Sequence, residues 1–442
     1  MNSENNNLSF KDNLVRARSH IVFILALITS FTLVINLDKT SFENRVMPKA
    51  NVQKVIELEA TEKRELTQEE MKWAKIAWKY FQNNTIAATG LANSANNYPS
   101  TTLWDSSSYL MAIISAKRLE IIDDKEFTSR VDKFLESMLN LPLYDSMLPN
   151  KVYNTKTLEM VDYKNKKVEK GLGWSAIDIG RFMVPMNILV WNYPQFTPKV
   201  RAITSHWNLS EVVKNGDMYG AANENGQTVY LQEGRLGYEE YAAKSYQLIG
   251  LDVTSAIDYT AWLEFVNIDG VNVPTDTRTP DKFTAQNYVV SEPYILDGLE
   301  YGWDSLSQEF AGRVYKAQEE HYNKTGKLTA VSEDNIDQAP YFVYNTVFTN
   351  GKEWNAITED GSDASEFKTL STKAAFGWHM LYETEYTKKL IDAVSTLNDP
   401  EKGWYSGLYE KTNQPNAVLT ANTNGIVLES LAYKKTGVLL KP

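Results

Sequence analysis

The chain has 442 residues, no cysteine, 12% aromatic residues and a formal net charge of −11. Its length and 43% hydrophobic content suit a globular protein with a sizeable core, not a disordered chain. The acid excess argues against nucleic-acid binding, which needs concentrated Lys and Arg to neutralise phosphates, and the missing cysteine excludes disulfides, thiolate metal sites and a thiol nucleophile.

Taken in chain order, the first distinctive segment is Ile21–Leu37, an uncharged apolar run at the short end of what crosses a bilayer. It continues into Asp38-Lys39-Thr40 without a small-residue cleavage pattern, which favours an uncleaved signal-anchor over a cleaved signal peptide. Lys11, Arg16 and Arg18 precede it; Lys39, Arg45 and Lys49 follow. The closeness of the arginines to the run places the N-terminus in the cytoplasm. The expected layout is a cytoplasmic arm (1–20), a single transmembrane helix (21–37), a charged spacer (38–66) and one large domain (67–442). That domain would lie in the periplasm or outside the cell, anchored in the cytoplasmic membrane.

From Thr67 the chain alternates two helical patterns. Amphipathic sets recur at helical spacing: Met71, Ala74, Trp78 and Phe81; Phe127, Val131, Phe134, Leu135 and Met138; Leu306, Phe310 and Val314; Tyr386, Leu390, Ile391, Val394 and Leu397. Between them lie segments that are apolar or small nearly all round: Trp104–Leu119, Gly173–Trp191, Gly237–Gly250, Glu292–Gly302, Thr372–Tyr382 and Asn422–Tyr433. A helix without a polar face is buried on all sides. Six such helices alternating with outer ones predict an all-α chain, an (α/α)6 barrel; the alternative is an irregular helical bundle. Ser255–Phe265 is the short candidate for the outer helix before Glu292. Four inserts carry hairpin signals: Lys151–Tyr163, Met218–Leu231 with Asn225-Gly226, Phe265–Val273 with Asp269-Gly270, and Tyr341–Ile357 with Asn350-Gly351. Each precedes a buried helix, so all are expected on one rim, where function gathers on a rigid scaffold.

The starts of the buried helices carry aromatic, acidic and amide residues together. Trp104, Trp174, Asp178, Arg181, Tyr238, Tyr294, Trp378, Trp404, Asn422 and Asn424 are the candidate sugar-binding residues. Apolar sugar faces stack on rings, and hydroxyls bond to carboxylates and amides. Each also has a plainer reading. Thr102, Asp105 and Asn422 fit helix caps, Asp178 and Arg181 fit an ion pair with each other, and the rings fit a core. Glycosidic cleavage needs two carboxyl groups across the bond. Glu239, following a Gly-Tyr pair, is the preferred acid, since rings would desolvate it and raise its pKa. Asp105 is its preferred partner; Glu292 comes next, and Glu233 and Glu240 complete the candidates.

Competing motifs are weak. Gly171–Ala176 matches a dinucleotide pattern without the strand it needs, His20, His206, His321 and His379 are scattered, and Glu359–Asp363 lacks a full calcium loop. No cofactor and no metal are expected.

Thr102–Asp105, Gly173–Phe182, Glu233–Tyr241, Glu292–Tyr294 and Ser371–Trp378 resemble the bacterial family known as domain of unknown function 3131, grouped with the six-hairpin, glucoamylase-like glycosidases. The resemblance runs from about Thr67 to the C-terminus. It implies an (α/α)6 fold and action on a polysaccharide, and supplies no catalytic residues. The expected function is a glycoside hydrolase or transglycosylase; the alternatives are a non-catalytic polysaccharide-binding or assembly factor on the same fold, and a lyase, which the scarcity of His disfavours.

Overall fold

The computed structural model describes residues 54–283 and 285–440. The expected membrane segment, 21–37, lies outside these residues. Among the described residues no helix is long and apolar enough to cross a membrane, and the expectation of a single-pass membrane protein is withdrawn on that finding.

The inner helices are α2 (Leu103–Arg118), α4 (Ala176–Asn192), α6 (Tyr238–Leu248), α7 (Glu292–Leu296, continued by a wide turn, Asp297–Tyr301), α9 (Thr372–Tyr382) and α11 (Ala421–Thr436). Each packs on the next, and α11 closes the ring against α2. Small residues permit that closeness: a Cβ on Gly180 would lie 2.7 Å from that of Ala242, and one on Gly377 would lie 2.4 Å from Ile295. Outside lie α1 (Gln68–Asn84), α3 (Asp124–Asn140), α5 (Thr197–His206), α8 (Ser305–Thr325) and α10 (Glu385–Val394). Their apolar stripes face inward as the spacing predicts, with Ala74, Trp78 and Phe81 of α1 and Phe127, Val131 and Phe134 of α3 buried. Helix α5 shows why a stripe can escape notice: just Val200 and Ile203 of its residues are buried.

Ser255–Phe265 does not form the sixth outer helix. Asp258 accepts bonds from the Thr260 amide and hydroxyl, a local turn that competes with helix, and strand begins at Leu263.

The expectation of an all-α chain is also corrected: the fold is 44% helical and 20% strand. The strand lies in the segments that enter the inner helices. β1 (Ser100–Thr102) pairs with β2 (Val152–Asn154), and β3 (Asp217–Glu224) with β4 (Gln227–Gln232). β5 (Leu263–Ile268) pairs with β6 (Val271–Asp276), β7 (Glu333–Asn335) with β8 (Phe342–Asn345), and β9 (Thr369–Ser371) with β10 (Gly403–Tyr409), which also takes β11 (Pro415–Leu419). The turns Asn225-Gly226, Asp269-Gly270 and Asn350-Gly351 all have positive φ at both residues, as tight hairpins need. Lys151–Tyr163 differs, because its strand pairs outward with β1 and meets its own chain through one bridge, Tyr153 to Met160.

Residues 54–66 run extended along the barrel. Thr61 and Arg64 donate their amides to Leu381 and Lys434 carbonyls at the ends of α9 and α11, and Arg64 grips Glu70 and Glu383.

Candidate active site

Two inner helices open with the same module. Thr102 caps α2, accepting from the Asp105 amide (3.1 Å) and donating its hydroxyl to the Asp105 carboxylate (2.9 Å). Ser175 does the same for Asp178 on α4, at 3.1 Å each way. Both acids are thus held in a first helical turn on the rim, and both are half-buried. The cap reading of Thr102 holds, and the same cap fixes the Asp105 carboxylate. Glu233, arriving from β4, sits over the same helix start and accepts from the Ala176 amide (2.5 Å), the Ile177 amide (3.2 Å) and the Ser175 hydroxyl (3.1 Å). Burial and then the Glu233 charge push Asp178 up to about 7. Burial also raises Asp105 and Glu233.

The second carboxylate group is centred on a residue the sequence did not single out. Glu333, half-buried on β7, faces Tyr344 across the strand pair. It accepts the Tyr238 hydroxyl at 2.6 Å. Burial, followed by the charge of Glu292, pushes its carboxyl up to about 8, against the pull of Lys373 and Tyr238. Glu292 itself is 1% exposed. It accepts from the Trp104 indole (3.0 Å) and the Asn422 amide (3.0 Å) and is ion-paired with buried Lys373, which Asp334 approaches from the other side at 3.7 Å. Tyr288 stacks on Tyr344 with centroids 4.3 Å apart.

Two tyrosines link the groups. Tyr163 is 62% exposed on the insert before α4, yet its hydroxyl is raised by desolvation and then by Asp178, Glu359 and Glu233. The Tyr344 hydroxyl is raised by burial and then by Glu333 and Glu359. Tyr163 itself acts on Tyr344, so the two carboxylate groups lie towards the same side of the barrel.

The remaining candidates sit elsewhere. Glu239 is 3% exposed and pairs with Arg278 at 2.5 Å while Gln232 donates to it at 2.9 Å; burial raises it to about 7, and both its oxygens are engaged by the protein. Glu240 closes a capping bond to the Gly237 amide (2.7 Å). Arg181 does not pair with Asp178. It is fully buried, near Glu300 (3.7 Å) and Glu429 (3.3 Å), and its guanidinium lies 4.6 Å from the Trp104 ring. Trp174, Trp378, Trp404, Tyr294 and Asn424 are core residues, each 2% exposed or less. The indoles bond to the Tyr219 carbonyl, the Ser291 hydroxyl and the Trp73 carbonyl respectively, and Asn424 takes the Trp404 amide. Trp104 and Asn422 are half-buried and bond to Glu292, and Tyr238, 6% exposed, bonds to Glu333.

A family model described as "protein of unknown function (DUF3131)" matches residues 72–437. The chain belongs to that family. No curated protein matches it. Among solved structures, it is similar to a glucoamylase-like protein from Bacteroides caccae ATCC 43185 (11% identity, 84% of this chain and 94% of that one, TM-score 0.61). It is also similar to an endo-β-1,2-glucanase from Chitinophaga pinensis in complex with sophorotriose and glucose (12% identity, 85% and 94%, TM-score 0.59). A third is an endo-β-1,2-glucanase from Talaromyces funiculosus in complex with sophorose (10% identity, 84% of each chain, TM-score 0.57). These likenesses establish the (α/α)6 fold.

Proposed function

We propose that this DUF3131 protein is a glycoside hydrolase or transglycosylase that cleaves a polysaccharide, with Glu333 as proton donor and Asp178 as the second carboxylate. One observation carries the reading. Glu333 is a half-buried residue that accepts the Tyr238 hydroxyl at 2.6 Å, and burial with the neighbouring Glu292 charge raises its carboxyl to about 8, which favours the protonated form an acid catalyst needs.

The chemistry follows from those placements. Glu333 gives its proton to the glycosidic oxygen as the bond from that oxygen to the sugar breaks. The Tyr238 hydroxyl, 2.6 Å away, then donates to the carboxylate left behind. Asp178, at about 7, supplies the ionised carboxylate that activates water or attacks the sugar. Asp105, on the neighbouring helix, is the alternative for this role. Trp104, half-buried, offers ring surface, and the Asn422 amide and Glu292 form the polar floor.

The test is incubation of the purified protein with α- and β-glucans, β-1,2-glucan first because two of the similar folds act on it. Release of reducing ends that disappears in Glu333→Gln and Asp178→Asn supports the proposal. Binding without turnover refutes catalysis and leaves a polysaccharide-binding protein.

A further inference from the structure

We propose that a row of aromatic side chains running outward from Glu333 is a distal subsite for successive sugar rings of a neutral polysaccharide, with Trp262 as its outermost platform. The inference rests on the reading of the cleft as a glycan site and adds to it the part that holds the polymer.

The row begins at Tyr344, in register with Glu333. Tyr288 stacks on Tyr344 at 4.3 Å and meets Tyr238 edge-on at 6.2 Å. Phe283 is reached through Arg235, which interacts with Tyr288 and whose guanidinium lies 5.6 Å from the Phe283 ring. That guanidinium also donates to the carbonyls of Phe283 (3.1 Å) and Ala285 (3.3 Å), fixing the segment that carries the ring. Trp262 meets Phe283 edge-on at 5.4 Å and is 44% exposed.

A single exposed ring needs no explanation, but Trp262 stands on an unusual foundation. Arg278, with its guanidinium 5.6 Å from the indole, is 4% exposed and bonded to Asp276 (2.6 Å) and Glu239 (2.5 Å). Asp276 also accepts the Leu236 amide at 2.9 Å, at the entry to α6. Burying three charges is costly unless they are fully paired, and here the cluster fixes a solvent-facing indole beside the rim. Glu239 thereby acts as a positioning residue for a sugar platform. Both carboxylates already engage Arg278, and Arg235 is 4% exposed with its guanidinium on Gln232 and backbone carbonyls, so neither cation is presented to an acidic sugar. The apolar face of a neutral pyranose on an indole is the fitting contact.

The test uses the full chain carrying Glu333→Gln, with and without Trp262→Ala, in native gels containing β-1,2-, β-1,3- or β-1,4-glucan or soluble starch. The exposed position keeps the variant folded, which its Tm verifies. Trp262→Ala is expected to weaken retardation by the bound polymer about three- to tenfold, with Trp262→Phe restoring much of it and the matching trisaccharide affected less. Unchanged retardation in Trp262→Ala, equal losses for polymer and trisaccharide, or no retardation of the parent by any of the polymers overturns the proposal. Retardation without hydrolysis by the native chain refutes the catalytic reading and leaves this one standing; hydrolysis with unchanged retardation does the reverse.

Discussion

Replacing Glu292 by Gln should move the pH profile without touching the acid itself. Glu333 lies at about 8 against an ordinary 4.5, first because it is buried and next because Glu292 is charged nearby. The amide keeps the shape, and its oxygen still accepts from Trp104 and Asn422, but the charge is gone. A like charge in near contact moves a carboxyl by about 1 to 3 pH units, so the basic limb of kcat/KM should fall from about 8 to between about 5 and 7. The sign follows from the acid's role: a proton donor fails as pH rises through its pKa, so a lower pKa brings failure earlier. With the limb at about 6, the protonated fraction at pH 7 drops from about nine-tenths to about one-tenth. Activity should recover on acidification, which a simple positioning defect would not do. Lys373, stripped of its partner, would remain buried near Asp334 and pull Glu333 further in the same direction. Breaking such a pair costs about 3 to 5 kcal/mol, so stability is measured alongside. The double variant Glu292→Gln/Lys373→Met removes opposite charges together and should return the limb towards its native position. The assay is kcat/KM from pH 4 to 9, paired with carbon-13 NMR titration of the Glu333 carboxyl. A limb that stays put or rises in folded Glu292→Gln refutes the assignment.

Tyr238→Phe should shift the same limb the opposite way, upward by about 1 pH unit, because the 2.6 Å hydroxyl bond favours ionised Glu333; a downward shift in the NMR titration would contradict it. Asp178→Asn should raise Tm at pH 8 by about a few degrees while abolishing turnover. The fold holds Asp178 at about 7 rather than 3.8, so its protonated form favours folding below about 3.8, and that benefit is lost as pH rises through 7; calorimetry showing no gain would count against it. The strap at 54–66 should loosen in acid. Despite burial, bonds from Arg64 and Thr67 hold Glu70 at about 2; its contribution is complete above about 4.5 and lost as pH falls towards 2. Hydrogen exchange at the Thr61 and Arg64 amides should rise over that window, and unchanged protection would refute the linkage.

What could be read from the sequence was whatever local chemistry dictates. The six inner helices announced themselves because residues such as Tyr109–Ser115 leave no polar face, and Asn225-Gly226 imposed its turn whatever its surroundings. Thr102 could be seen as a cap, and the acid three residues on came with it; Ser175 repeats the pattern for Asp178. What escaped depends on distant neighbours. Glu333 lies in a short polar strand without periodicity, and its hydroxyl partner is 95 residues away. Its one sequence signal is an acidic pair, Glu333-Asp334, entering the insert before α9. Glu239 was correctly expected to be desolvated, but the Arg278 that occupies it comes from the far end of a hairpin.

The same non-locality explains why the aromatics misled in part. Trp174 stands just before α4, Trp378 in the middle of α9 and Trp404 on β10, and all three are sealed in the core with their indole N–H groups spent on the protein. Trp104 differs in having its N–H on Glu292 and its ring on Arg181, a cation buried between Glu300 and Glu429. A chain of contacts thus leads from the Arg181 cluster through Trp104 to Glu292 with Lys373, and on to Glu333. An apolar chain of contacts would pack six helices as well and fold more stably. A charge beside a desolvated carboxyl has a use that such packing lacks, because it raises that carboxyl, as the proposed proton donor requires.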